Sequence, residues 1–309
     1  MPSFVVAITA TRHRLPELTR LLRALESLDQ PLGAWVVVDN GAQRDVAELL
    51  ERAAFPTEYV APRENMGCGG ALRLGEERAL ERFGEQFTHI WVLDDDVVPE
   101  PAALGLSLLA LREVPAAAAA PVIAGPDGLI GWESSLVDTR KFALLKSRLT
   151  PAEFLAEVGP EPIPFEWTQG ICLLYTRRVL VELGPHADDY WIRGEDIEFS
   201  LRITARWTAV LVPSAVVRHL MPEIGQTPET IAVEYRKQCA MVQNVAYLGL
   251  HVPHARRILS KIPGRFYWHF HNWGISWRTL LDAVRLFWQG AIRRRPAGHP
   301  ACGWPMKPR

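Results

Sequence analysis

His89-Ile90-Trp91-Val92-Leu93-Asp94-Asp95-Asp96 decides the fold, because an apolar run ends without any spacer in three acidic residues. A short apolar run bounded by polar residues reads as a buried strand. Polar groups gathered at a strand's carboxyl end mark the place where open parallel sheets bind ligands. Adjacent carboxylates repel one another and cost stability unless a cation or hydrogen bonds compensate. Asp94 and Asp96, one residue apart, can converge on one hard divalent ion, which prefers oxygen ligands and bridges substrate phosphates. A helix cap or a solvated turn is the plainer use of such a triplet.

Towards the N-terminus the same pattern repeats. Phe4 to Thr9 reads as a buried first strand, and Pro16 then opens a helix that places Leu18, Leu21, Leu22, Leu25 and Leu28 on one face. Trp35 to Val38 forms a second strand and runs into Asp39-Asn40-Gly41. A third, Thr57 to Val60, leads to Arg63, Asn65 and the glycines of Asn65-Met66-Gly67-Cys68-Gly69-Gly70, followed by a helix to Phe83. Glycines let a backbone approach a ligand before a helix N-terminus, although this run has neither dinucleotide-fingerprint spacing nor a Walker lysine. Strands alternating with helices predict a mostly parallel sheet covered by helices.

Beyond the triplet, alanine-rich sequence runs through Ala120, and a strand is expected near Pro121 to Ala124. Asp138 to Pro164 reads as a helical excursion or lid, and Phe165 to Tyr175 resumes strand character. Gly194 to Arg206 reads as a helix with Ile197, Leu201 and Ile203 or Thr204 inward. Its first turn holds Glu195 and Asp196; a carboxylate there can serve as general base to a hydroxyl, or simply complement the helix dipole. His219 ends the apolar run Ala209 to Val217 and can offer a neutral imidazole to a metal. From about Thr227 onward the chain reads as helical and aromatic.

Of the 309 residues, 48% are apolar and 22% charged, the profile of an ordinary globular chain, and the formal charge of -1 gives no field to hold a nucleic acid. The four cysteines, Cys68, Cys172, Cys239 and Cys302, lack the spacing of a metal knuckle or a disulfide scaffold. Reduced thiols, no signal peptide and no spanning run are expected, hence a cytoplasmic protein, free or peripheral on the inner face of the membrane.

The order of Val5–Thr11, Val36–Gly41, Arg63–Gly67, Trp91–Asp96, Trp167-Thr168-Gln169-Gly170, Arg193–Phe199 and His219 resembles the family-two glycosyltransferases of the GT-A fold. Within that family it is most similar to the bacterial rhamnosyl- and galactofuranosyltransferase branch. The resemblance covers about Phe4 to Pro222. It implies a GT-A type nucleotide-binding, mostly parallel α/β sheet flanked by helices, with a C-terminal helical extension. The catalytic domain is expected over residues 1–224, with a nucleotide-sugar half to about 124 and an acceptor half from 125, and the extension over 225–309.

The resemblance also implies roles. Thr9 and Asp39 would hold the nucleoside, with Arg63, Asn65 and Gly67 in the loop near base and ribose. Asp94, Asp96 and His219 would bind Mn2+ or Mg2+. Asp95, Trp167 and Glu195 would lie along the donor or acceptor, Glu195 standing where galactofuranosyl enzymes often carry a second aspartate. Asp196 would be the base of an inverting transfer from a UDP- or dTDP-sugar to a glycan, lipid-linked or small-molecule hydroxyl. The competing readings are a sugar-1-phosphate nucleotidyltransferase, disfavoured because Thr9 to Arg14 supplies Arg12 and Arg14 but no glycine, and a non-catalytic nucleotide-sugar-binding protein. The aromatic and arginine-rich segment Arg265 to Arg295 suits a membrane surface or, as the favoured expectation, packing against the catalytic domain or a second copy of the chain.

Overall fold

The computed structural model describes residues 3–131, 135–136, 149–220 and 227–292. Ten strands among them form one sheet: β1 (Val5–Thr11), β2 (Ala34–Asp39), β3 (Thr57–Val60), β4 (His89–Leu93), β5 (Val97–Pro99), β6 (Ala116–Ala124), β7 (Ser135–Leu136), β8 (Ile163–Trp167), β9 (Cys172–Thr176) and β10 (Thr208–His219). Their order is β3-β2-β1-β4-β9-β6-β10-β8-β7, with β5 paired to β10. The ladders β3-β2-β1-β4 and β6-β10 are parallel, whereas β9, β8 and β5 run against the rest. The expected mostly parallel sheet is therefore present, its antiparallel members confined to the half beyond β4.

The helices follow from the sequence pattern. In α1 (Leu15–Glu26), Pro16 sits in the first turn, where its missing N–H costs nothing. Leu18, Leu21 and Leu25 are at most 2% exposed and pack with Val5, Ala7, Trp35 and Trp91 in the main core. Each such leucine contributes roughly 1.5–3 kcal/mol by leaving water. Next come α2 (Arg44–Leu50), α3 (Gly67–Phe83) and α4 (Ala103–Glu113). The alanine run corrects one expectation: Ala116 to Ala120 belong to β6, which starts five residues before Pro121. Alanine favours helix when exposed, but here Ala118, Ala119 and Ala120 are buried in the middle of the sheet, and tertiary burial overrides propensity.

Thr150 caps α5 (Pro151–Val158) in a reciprocal bond with Glu153. Much of the expected excursion from Asp138, residues 138–148, lies outside the described residues. Then follow α6 (Arg177–Leu183), α7 (Glu195–Thr204), α8 (Pro228–His251, capped by Thr227), a 3-10 segment (Pro253–Lys261), α9 (Ile262–Trp273), α10 (Trp277–Phe287) and a π segment (Trp288–Ile292). No disulfide joins Cys68, Cys172 and Cys239, and Cys302 is outside the described residues. Among the described residues, no helix is long and apolar enough to cross a membrane.

Contacts divide the chain into two compact units. The first comprises residues 1–63, 71–185 and 203–222, and holds the sheet. The second gathers 64–70, 186–202 and the chain from Glu223. Its centre is α8, where Cys239 and Val242 pack with Leu286, Tyr235 and Phe266.

Candidate active site

In the first unit, strand register builds the site. The antiparallel pairing of β5 with β10 sets His219 opposite Val97, and the Leu220 amide donates to the Asp96 carbonyl at 2.9 Å. A histidine 123 residues away is thereby laid against the acidic triplet, its Nε2 3.0 Å from Asp96 Oδ1. One donor atom each from Asp94, Asp96 and His219 lies within 4.8 Å of the others. Two carboxylates and an imidazole so placed are a donor set that fits a divalent ion such as Mn2+ or Mg2+.

The middle acid is spent differently. Asp95 Oδ2 accepts from Thr11 Oγ1 at 2.7 Å, and its Oδ1 from Arg14 Nη1 at 3.1 Å; the same nitrogen donates to Asp96 Oδ2 at 2.5 Å. Burial pushes the Asp95 carboxyl up to about 6 against the pull of Arg14 and Thr11. Burial works the same way on Asp96, yet the hydrogen bond and charge of His219, joined by Arg14, prevail and hold that carboxyl below its ordinary value. One guanidinium thus offsets part of the charge of three aspartates, leaving a net negative niche that a divalent cation would neutralise. Arg14 went unrecognised in this role, since only the fold of the loop between β1 and α1 carries it to the triplet.

The remaining first-unit candidates have clear structural duties. Thr9 is fully buried, and its hydroxyl accepts from Trp35 Nε1 at 3.0 Å. Asp39, also fully buried, accepts from the amides of Gly41 at 2.7 Å and Gln43 at 2.6 Å and from the Tyr59 hydroxyl at 3.2 Å, which fixes the turn after β2. Burial and the Asp39 charge push the Tyr59 phenol up to about 12. Arg63 is exposed beyond β3, and Trp167 is buried at the end of β8.

In the second unit the glycine loop and the start of α7 are latched together. Asn65 Oδ1 accepts from the Gly67 amide at 2.9 Å, and the Cys68 amide donates to the Trp191 carbonyl at 2.8 Å. Gly67 has φ +73°, and a Cβ there would lie 2.3 Å from the Trp191 oxygen, so only glycine fits. Arg193 adopts φ +61°, a strained conformation for a side-chain-bearing residue. Asn244, fully buried on α8, holds that turn by donating to the carbonyls of Ile192 and Arg193. Asn244 carried no signal in sequence.

Glu195 and Asp196 then part company. Glu195 is 5% exposed; burial, seconded by the Asp196 charge, pushes its carboxyl up to about 8 against a hydrogen bond from Cys68. Asp196 is only half-buried, and its Oδ1 accepts from the amides of Ile197 at 2.7 Å and Gly194 at 3.2 Å. The accessible acid is therefore Asp196, and the neutral, enclosed one is Glu195.

Comparison with known proteins gives the site its context. The family model "Glycosyl transferase family 2" matches residues 6–156. An N-acetylglucosaminyl-diphospho-decaprenol L-rhamnosyltransferase of Mycobacterium tuberculosis H37Rv is 27% identical over 253 residues, 75% of this chain and 81% of the relative. The crystal structure of S. aureus TarS 1–349 in complex with UDP-GlcNAc superposes with a TM-score of 0.59 at 14% identity, over 93% of this chain and 81% of the 1–349 chain. The mannosyltransferase PcManGT from Pyrobaculum calidifontis, solved with GDP-Man and Mn2+, gives 0.57 at 19% identity, over 98% of this chain and 79% of its own. With the acidic triplet at the end of β4 and the sheet that carries it, these likenesses make the assignment: residues 6–156 match glycosyl transferase family 2, and the chain is a glycosyltransferase with the GT-A fold.

Proposed function

We propose that the protein transfers a sugar from a UDP- or dTDP-linked donor to a hydroxyl of a lipid-linked glycan, with inversion at the anomeric carbon. The observation that carries this reading is the convergence of Asp94, Asp96 and His219 within 4.8 Å. These three residues would hold Mn2+ or Mg2+. Such an ion, when bound, neutralises the charge that develops on a departing diphosphate. Arg14 keeps Asp95 and Asp96 oriented towards one niche. Thr9, Asp39, Arg63, Asn65 and Gly67 would form the nucleoside side of the site, with Asp95, Trp167 and Glu195 along the sugars.

Asp196 would take the acceptor proton. It is half-buried and reachable, its Oδ1 fixed by the Gly194 and Ile197 amides, whereas Glu195, protonated near neutral pH, would donate a hydrogen bond to a sugar hydroxyl. General-base assistance of this kind is worth about 10²- to 10⁴-fold. The lipid-linked acceptor is favoured by the M. tuberculosis relative, whose name specifies a diphospho-decaprenol substrate. The catalytic domain would span residues 1–224, with the acceptor half and the helical extension choosing the acceptor.

The test is transfer from a panel of UDP-, dTDP- and GDP-sugars with and without Mn2+, followed by NMR of the product's anomeric configuration. Inversion with a UDP- or dTDP-sugar is expected, and a retained configuration would remove Asp196 from the base role. Asp196→Asn should bind donor normally while losing about 10²-fold or more in turnover.

A further inference from the structure

We infer that α10 and the π segment that continues it dock the protein flat on an anionic lipid bilayer through Trp277, Leu281, Val284 and their neighbours. The helix has two faces, and they are the reverse of a core-packing helix. Its protein-facing stripe is made mostly of small residues: Thr279, Ala283 and, in the π segment, Gly290 and Ala291, all at most 8% exposed apart from the glycine, which is also buried. Gly290 sits so close to α8 that a Cβ would lie 2.2 Å from the Gln243 carbonyl oxygen. Leu286 is the large side chain buried on this side, with Phe287 half-buried against Phe266 next to it. The seating is therefore set by close backbone approach, and it fixes which way the opposite stripe points.

That opposite stripe carries the large apolar residues at spacings of three and four. Trp277 is 81% exposed, Leu281 65% and Val284 59%, with Leu280, Trp288 and Ile292 continuing the line and Ile275, 84% exposed, preceding it. Scattered apolar side chains are ordinary on a protein surface, but a contiguous stripe along one helix marks something to be covered.

Charge selects the cover. From Pro253 to Ile292 there are six lysines and arginines against one acidic residue, Asp282, and Asp282 accepts a hydrogen bond from the Tyr235 hydroxyl at 2.6 Å. The sequence from Arg293 to Arg309 adds five basic residues and no acidic one. The chain as a whole is at -1, so positive charge is concentrated in this segment. Arg278 and Arg285 are exposed and lie beside the apolar stripe on α10 itself. A large apolar face with tryptophans, flanked by arginines, matches the interface of an anionic leaflet and mismatches a second copy of the same face, which would bring like charges together. Beside the helix start, Ile231, Tyr235, Arg236, Trp273 and Arg278 line a groove of about 620 Å³ that can take lipid groups from the same surface.

The binding requires no donor, acceptor or metal, so its failure and the failure of the transfer reaction are separable. The experiment is co-sedimentation of the full chain with vesicles of phosphatidylcholine containing about 30% phosphatidylglycerol at about 0.02 M salt, where screening is weak. Wild type should pellet with these vesicles, pellet far less with pure phosphatidylcholine, and be released by raised salt. The triple variant Trp277→Ser, Leu281→Ser, Val284→Ser should lose about 10²-fold or more in partitioning, since each apolar side chain contributes roughly tenfold. Its circular dichroism should be unchanged because all three side chains are exposed. Should the triple variant fail to fold, Trp277→Ser and Val284→Ser taken singly should each lose roughly tenfold. Equal binding by the variants, or no binding by wild type at low salt, overturns the inference. So does a dimer in velocity sedimentation that the triple variant abolishes while vesicle binding is absent, since a second copy would then be the cover.

Discussion

Replacing Gly67 with alanine should separate the shape of the glycine loop from stability in general. The position has φ +73°, which costs an alanine roughly 1–2 kcal/mol. The new Cβ would also lie 2.3 Å from the Trp191 oxygen, so something must retreat by about 0.7 Å to reach even the 3.0 Å that real contacts respect. Trp191 leads within a few residues into Arg193, Gly194 and the proposed base Asp196, and the Cys68 amide is bonded to its carbonyl. Gly84 is the matched control, with φ +54° and nothing within 4 Å, and Gly131 is the neutral one, with ordinary φ and open space. Gly84→Ala should lower Tm by about 2–8 °C, from its strain and the response of a chain this size, and leave transfer intact. Gly131→Ala should do neither. Gly67→Ala should lower Tm at least as much and cut kcat/KM by about 10- to 10²-fold, the scale expected for a sub-ångström to one-ångström misplacement of a reacting group. The assay is thermal melting alongside initial-rate transfer below the melting range. A Gly67→Ala enzyme as active as Gly84→Ala would refute the idea that this latch positions the base.

Arg14→Met should lower the metal-free stability by roughly 1–3 kcal/mol, because Asp95 and Asp96 lose their shared donor, and saturating Mn2+ should raise Tm more in the variant than in wild type; equal metal-induced shifts in differential scanning fluorimetry would contradict this. Asn244→Ala should reduce kcat with the donor KM nearly unchanged, since it releases the Arg193 turn without touching the nucleotide residues. Glu195 titrates near 8 in the fold against an ordinary glutamate value of 4.5, so the folded protein binds this proton more tightly and stability should fall as pH rises from about 5 to 8. Glu195→Gln should flatten that slope in urea titrations across the same range, and an unchanged slope would place the loss elsewhere.

What the sequence made legible was set by periodicity and by strand ends. The bounds of β3 and β4, the leucine face of α1 and the carboxylates after Leu93 all follow from patterns shorter than a helix turn or two. The start of β6 at Ala116, five residues before the expected strand at Pro121, was not legible because an alanine run carries no periodicity that marks burial between layers. Arg14 and Asn244 were silent because each acts through a long-range contact, 81 residues to Asp95 in one case and 52 to Ile192 in the other. The aromatic C-terminal helices showed the same limit. Helical spacing announces an apolar stripe, but it cannot say which side is wet, and the buried glycine and alanines of the opposite stripe decided that. Packing was the favoured expectation there; in the structure Leu286 and Ala283 pack, and Trp277 and Leu281 face outward.

The central claim is that Asp94, Asp96 and His219 hold one divalent cation beside the donor. Electron paramagnetic resonance titration of Mn2+ in the presence of UDP tests it without requiring the acceptor. Wild type should bind a single Mn2+ per chain, and Asp96→Asn and His219→Ala should each weaken it by about 10- to 10²-fold while remaining folded. Binding that is undiminished in both variants would show that the cation, and with it the proposed site, lies elsewhere.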